Sequence, residues 1–315
     1  MDIFQSTVEY LSAIPVFESW PELKDLLKRA ASRKPRAWWL PGIACRSVGG
    51  SFEQAIPASA ALACIQVSFV LVDDMLDKDP RGEYHQIGEA QVANIASALQ
   101  ALGLEAFFLS NSSSSTKISM ARSTNQMIMS TTFGQYLDVK NPLDEADYWQ
   151  IVDSKSAPFF GTAFYVGGLA GGASKSVSEK LKQFGYLYGE IIQIHDDLND
   201  AMAIPANPDW MQNRSPLPIL YARLVDHPSR PRFLELCQNL SQLEALREAQ
   251  DILIRCGAVS YCVDQLLRRN RTAQKLLESI PLVENKAMNE LLEELITPVR
   301  RLFQSMGESL SVFST

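Results

Sequence analysis

The chain has 315 residues, 46% of them hydrophobic and 21% charged, with a net charge of −7. That length suits one large domain or two smaller ones, and the balance is that of a globular protein with a sizeable core. The acidic charge argues against nucleic acid as main partner, and five cysteines without a CxxC pair argue against a disulfide framework and for a reducing, cytoplasmic setting.

Taken in order, the opening MDIFQSTVEYL has no basic stretch leading into an apolar one, so no signal peptide is expected. Residues 1–32 read as helical, punctuated by Pro15 and Pro21. A basic cluster follows, Arg33, Lys34 and Arg36 beside Trp38 and Trp39; it is either a solvated turn or an anion site. Residues 51–78 form a long apolar helix that approaches membrane-span length. Pro57, Ser59, Gln66 and Ser68 interrupt it, which favours a buried core helix and no integral membrane segment. It ends in Asp73, Asp74 and Asp77, a spacing expected to put three carboxylates on one helical face. Pro80 and Gly82 break it, with Arg81 between them.

Residues 86–110 read as another helix, and 111–116 (NSSSST) as an exposed loop. Residues 117–138 are helical and end in FGQYLDV, which carries Gln135 and Asp138; Pro142 then breaks the chain. A long segment over 144–172 holds Lys155 among apolar neighbours, either a snorkelling side chain or a phosphate ligand. Residues 175–203 form an apolar helix with a second acidic end, Asp196, Asp197 and Asp200. Pro205 and Pro208 mark a loop, Arg214 precedes PLPILYARL, and the remainder reads as amphipathic helices over 239–256, 257–281 and 284–306. No period-two alternation appears, so the expected fold is all-α: a single domain over 1–315, a helical bundle around a central cavity.

The two D-D-x-x-D words carry the chemistry. Clustered carboxylates repel one another, and a fold that keeps them needs a reason. A solvated acidic turn explains one copy, but less readily two that each close an apolar helix. An EF-hand is excluded, because neither copy has alternating ligands, a central glycine and a distal glutamate. Mg2+ is held by one or two carboxylates together with substrate phosphate oxygens. The expected metal set is therefore Asp73, Asp74, Asp77, Asp196, Asp197 and Asp200, holding several Mg2+ ions on a diphosphate substrate. Bundles build such sites from facing helices.

These words and their order resemble the trans-isoprenyl diphosphate synthases, over about Arg33 to Leu277. The signature copies are DDMLD and DDLND. Arg33 and Arg36 fall on the G-K-x-x-R word, Gly134-Gln135 and Asp138 on G-Q-x-x-D, Lys155-Ser156 on K-T/S, Gln193 on F-Q-x-x-D-D, and Arg214 on the lysine before L-P-L. Three positions depart from the pattern. Pro80 stands where the first arginine of the R-R-G word falls, leaving Arg81; Gln66 stands for a histidine; and AMAIPANPDWMQN lacks the lysines that follow the second motif.

The resemblance implies the class I isoprenoid synthase fold, an allylic prenyl diphosphate as substrate, and usually a homodimer. It gives catalytic roles to Lys155 and the six aspartates. Substrate binding falls to Arg33, Arg36, Gln66, Phe69, Arg81, Gln135, Gln193 and Arg214. Phe133, Tyr136, Phe159 and Phe160 are candidates to stabilise an allylic cation through their ring faces, and the departing diphosphate commonly removes the proton. Three activities stay open. The first is elongation by coupling to isopentenyl diphosphate, giving a short-chain product. The second is a terpene synthase, or a prenyltransferase with an unusual acceptor. The third is a non-catalytic partner subunit. Phe69 and Ser68, four and five residues before Asp73, lie about 6–7.5 Å below the aspartates on a helix. In the family, bulky residues there limit chain length, so either Phe69 half-closes the floor, with about 10 to 20 carbons expected, or it simply packs in the core.

Overall fold

Several of the helices begin where a short polar side chain takes up free backbone N–H groups. Asp2 caps α1 (Ile3–Ser12). Ser51 and Gln54 cap each other's backbone at the start of α4 (Phe52–Asp77), after α2 (Pro21–Ser32) and α3 (Leu40–Ser47). After α5 (Glu89–Phe108), Ser113 caps α6 (Ser114–Asp138). Asp144 caps α7 (Glu145–Lys155), which passes through Ser156 into α8 (Ala157–Ala170), and Ser174 caps α9 (Lys175–Ala201). The series closes with α10 (Leu217–Leu224), α11 (Leu243–Arg255), α12 (Ala258–Glu278) and α13 (Lys286–Ser305). This computed structural model describes residues 2–211 and 214–305, and among them there is no strand. The all-α expectation is met.

Two boundaries differ from the sequence reading. The NSSSST stretch is only half loop, because Ser113 starts α6 inside it. The undivided segment over 144–172 is two helices, with Pro158 in the first turn of the second, where its missing N–H costs nothing.

The core is organised around α4, which packs against α1, α3, α5 and α8. Its mean hydropathy over 18 residues is 2.0, and 67% of that window is buried by these neighbours. It is long and apolar enough to cross a membrane, yet it is a core helix. Lys78, with φ of 55°, ends it in the left-handed region immediately after Asp77. α8 and α9 form an antiparallel pair in very close contact: a Cβ on Gly185 would lie 2.5 Å from the Phe160 carbonyl oxygen. A second apolar cluster gathers around Trp210 and Phe233, where the chain returns from the second aspartate motif. All five cysteines are free thiols.

Candidate active site

The phase of α4 separates its three aspartates. Successive residues turn by about 100°, so Asp73 and Asp77 share a face while Asp74 points elsewhere. The expectation that all three share one face is corrected here. Asp73 and Asp77 meet two cations from other elements. Lys155 Nζ lies 3.2 Å from Asp73 Oδ1 and 2.6 Å from Asp138 Oδ2. Arg214 pairs with Asp77 and reaches to 4.0 Å from Asp138. Asp73 Oδ1 is buried against the Lys155 ammonium and makes no other hydrogen bond. Burial pulls the Lys155 pKa down, but Asp73 and Asp138 outweigh it and hold the ammonium charged. Burial lifts the Asp77 carboxyl, against the pull of Arg214.

Lys155 is held by its backbone as well as its charge. Thr131 donates to its carbonyl oxygen at 3.1 Å. Gly134 lies so close that a Cβ there would be 2.3 Å from the Lys155 nitrogen. The glycine of the G-Q-x-x-D word is therefore a contact requirement between α6 and the end of α7.

The second motif divides its labour more sharply. Asp197 is 4% exposed and its oxygens are already engaged. Gln193 donates to Oδ1 at 2.8 Å; Tyr148 and the Leu217 backbone N–H donate to Oδ2 at 2.7 and 2.8 Å. Gln193 in turn accepts from Ser156 at 2.7 Å. Asp197 thus ties α9 to α7 and to the start of α10. Asp196 keeps an open edge, and Asp200 lines the cleft. Burial, then the charge of Asp200, pushes the Asp196 carboxyl up to about 6. Burial pushes Asp197 to about 6 against its three donors, and lifts Asp200 against a hydrogen bond from Asn207.

Three cavities surround this centre. A polar cleft of about 100 Å³ holds Asp138, Lys155, Gln193, Asp197, Asp200 and Arg214. It shares Lys155 and Ser156 with an apolar cavity of about 630 Å³, whose lining includes Phe69, Val72, Asp73, Gln100, Gln135 and Tyr136. Gln135 Nε2 is buried there without a partner. On the other side of α4, a pocket of about 310 Å³ contains Arg29, Arg33, Gln66, Asp74, Arg81 and Glu83.

Most of the expected residues are thus brought together, and some are not. Arg36 pairs with Glu294 and lines a separate groove with Asp2 and Trp39. Among the candidate rings only Tyr136 borders the apolar cavity, under the Lys140 ammonium 4.1 Å from its centroid. Phe133 is 51% exposed, and Phe159 and Phe160 pack into the bundle. Tyr148, Gln100, Arg29 and Glu83 were missed from sequence. Tyr148 sits seven residues before Lys155, two turns down the same face, and that spacing was its one available signal.

The donor set suits a hard divalent cation: oxygen only, crowded, and with Asp73 Oδ1 held by the Lys155 ion pair alone. Among the described residues no three carboxylate, imidazole or thiol side chains converge on one point. An ion at this cleft therefore has to complete its shell from water or substrate.

Residues 40–253 match the polyprenyl synthetase family. The chain belongs to that family. As a polyprenyl synthetase it is an enzyme of the trans-prenyltransferase class. It is 24% identical over 262 residues to an octaprenyl diphosphate synthase of Haemophilus influenzae, covering 79% of this chain and 78% of that one. It is 26% identical over 252 residues to a short chain isoprenyl diphosphate synthase of Methanothermobacter thermautotrophicus, covering 75% and 77%. A polyprenyl synthase from Caulobacter crescentus CB15, solved with calcium and isoprenyl diphosphate, superposes with a TM-score of 0.75 at 23% identity, over 93% of this chain and 91% of that one. These relatives make products of different length, so length is a question for the cavity.

Proposed function

We propose that this polyprenyl synthetase joins an allylic prenyl diphosphate to isopentenyl diphosphate and releases a short-chain prenyl diphosphate. The observation that carries the reading is the placement of the acidic and basic centre between two cavities. One is apolar and fits a prenyl tail; the other is lined by Arg33, Gln66 and Arg81 and fits a second, anionic substrate. A terpene synthase needs only the first.

Asp73, Asp77, Asp196 and Asp200 would hold Mg2+, with Asp197 fixing the second motif and Asp74 facing the acceptor side. When bound with the diphosphate, Mg2+ supplies charge neutralisation and Lewis acidity for the departing group. Lys155 and Arg214 contribute the cations, Arg214 as a bidentate fork. Val72, Phe69 and Val139 keep water from the tail, and the Tyr136 face borders the cavity where an allylic cation would form. The allylic C–O bond breaks, a C–C bond forms to the isopentenyl chain, and the proton leaves with the diphosphate. Calcium and isoprenyl diphosphate in the Caulobacter structure agree with a divalent ion and a diphosphate at such a centre. A homodimer is part of the proposal, supported by the exposed stripe of Met129, Phe133 and Tyr136 on α6 at helical spacing.

The test is an assay of dimethylallyl, geranyl and farnesyl diphosphates with Mg2+, each with and without isopentenyl diphosphate. Longer diphosphates are expected only when isopentenyl diphosphate is present. Hydrocarbons or alcohols formed without it would overturn the reading in favour of a terpene synthase.

A further inference from the structure

The acceptor pocket holds a cation that its sequence word does not supply. Arg29 and Arg33 stand one helical turn apart at the C-terminal end of α2, so their side chains are neighbours, and both line the pocket with Gln66, Arg81 and Glu83. Arg36, the second basic residue of the G-K-x-x-R word, is instead held by Glu294 beside another groove. We infer that Arg29 contacts the acceptor diphosphate and sets acceptor specificity in the position that the motif would give to Arg36, an inference that rests on reading this pocket as the acceptor site.

The pocket is built to present that guanidinium. Arg29 pairs with Glu83 across the turn that follows the first aspartate motif, and the carboxylate is 16% exposed while the arginine is 52% exposed. One edge of the fork rests on Glu83, and the half-exposed arginine borders the pocket. An arginine has five N–H donors, in a fork that fits a carboxylate and a phosphate alike. A diphosphate can accordingly take up the donors that Glu83 leaves open. Gln66 is oriented for the same ligand. The Trp38 indole, wholly buried and a donor only, bonds Gln66 Oε1 at 2.8 Å, which leaves the amide NH2 as the group that can donate to a ligand in the pocket Gln66 lines. Val67, Val70 and Leu71 line the same pocket and suit a small apolar chain beyond the phosphates. The geometry thus calls for an acceptor with a dense anionic head and a short hydrocarbon part. Arg81 is a lesser contributor, being bound to Asp79 and 88% exposed.

The experiment is steady-state kinetics with Mg2+, varying isopentenyl diphosphate at saturating farnesyl diphosphate and then farnesyl diphosphate at saturating isopentenyl diphosphate. Arg29→Gln should raise the KM for isopentenyl diphosphate tenfold or more and leave the KM for farnesyl diphosphate within twofold. Arg29→Lys should recover part of the loss. Arg36→Ala should cost at least threefold less than Arg29→Gln. An unchanged KM for isopentenyl diphosphate, an equal rise in both Michaelis constants, or a larger effect at Arg36 overturns the inference. If the wild type elongates no allylic diphosphate, the proposed function falls. Calorimetric titration of inorganic diphosphate in EDTA then decides the pocket by itself. Tenfold weaker binding by Arg29→Gln supports the inference, and equal binding overturns it.

Discussion

Asp196 and Asp197 are neighbours in sequence and experience different surroundings. Asp197 is a buried anchor with three hydrogen-bond donors, whereas Asp196 has an open edge beside Asp200. A carboxyl whose folded pKa is about 6, against an ordinary 3.8, binds its proton more tightly folded than unfolded. Its charge therefore costs stability as pH rises from about 4 to 6, and the cost persists above that range. Asp196→Asn should raise the melting temperature of the metal-free protein at pH 7.5 and change it little at pH 4, where the wild-type carboxyl is already protonated in the folded state. Calorimetry in EDTA at the two pH values checks this; an equal shift at both would count against it. The same variant should lose turnover. At this scale the aspartates and Lys155 were legible because their types and spacing are chemistry. Their division of labour was not, since the helix fixes the roughly 100° step between Asp73 and Asp74 but not what each face meets. Arg29 was invisible because it lies one turn before the basic word and is not part of it.

Between elements, the meeting of α4, α5 and α6 decides how deep a substrate tail can go. Phe69 lines the apolar cavity one turn below Asp73, and Gln100 on α5, which lines it too, donates to the buried Ser68 hydroxyl at 3.1 Å. One turn further along α5, a Cβ on Gly103 would lie 2.9 Å from the Ala61 carbonyl oxygen, so the two helices touch there. Phe69→Ala should lengthen the product by one or two isoprene units and no more, because that helix contact remains. Mass spectrometry of the products checks it. An unchanged product distribution, with a stability loss of about 3–5 kcal/mol typical of a core Phe→Ala change, would make Phe69 a packing residue only. The helices themselves were readable from apolar periodicity and from Pro and Gly punctuation. The break at Ser156 was not, since an apolar run on both sides hides it and the contact that demands it, Gly134 on Lys155, lies 21 positions away in the chain.

Over the whole molecule, the centre joins elements that are remote in sequence. α4 supplies Asp73 and Asp77, α7 supplies Lys155, α9 supplies the second motif, and the segment before α10 supplies Arg214. No three ligating side chains converge among the described residues, so neither metal nor diphosphate alone completes the site. Mg2+ and inorganic diphosphate together should raise the melting temperature by more than the sum of the two added singly. A ligand at 100 times its Kd contributes about 2.7 kcal/mol. Differential scanning fluorimetry over a concentration grid measures it, and a full shift with Mg2+ alone would argue for a preformed metal site.

The long apolar helix α4 has a consequence for synthesis. Its cover comes partly from α5 and, last, from α8, whose residues 157–170 follow its own end by some 80 positions. Until that stretch has left the ribosome, a segment with the hydropathy of a membrane span is incompletely shielded in the nascent chain. The acidic cluster at its end then has a second use: carboxylates at the edge of an apolar run are costly to pull into lipid. The residues proposed to hold the substrate's metal ions would also mark the segment as one to be kept in water.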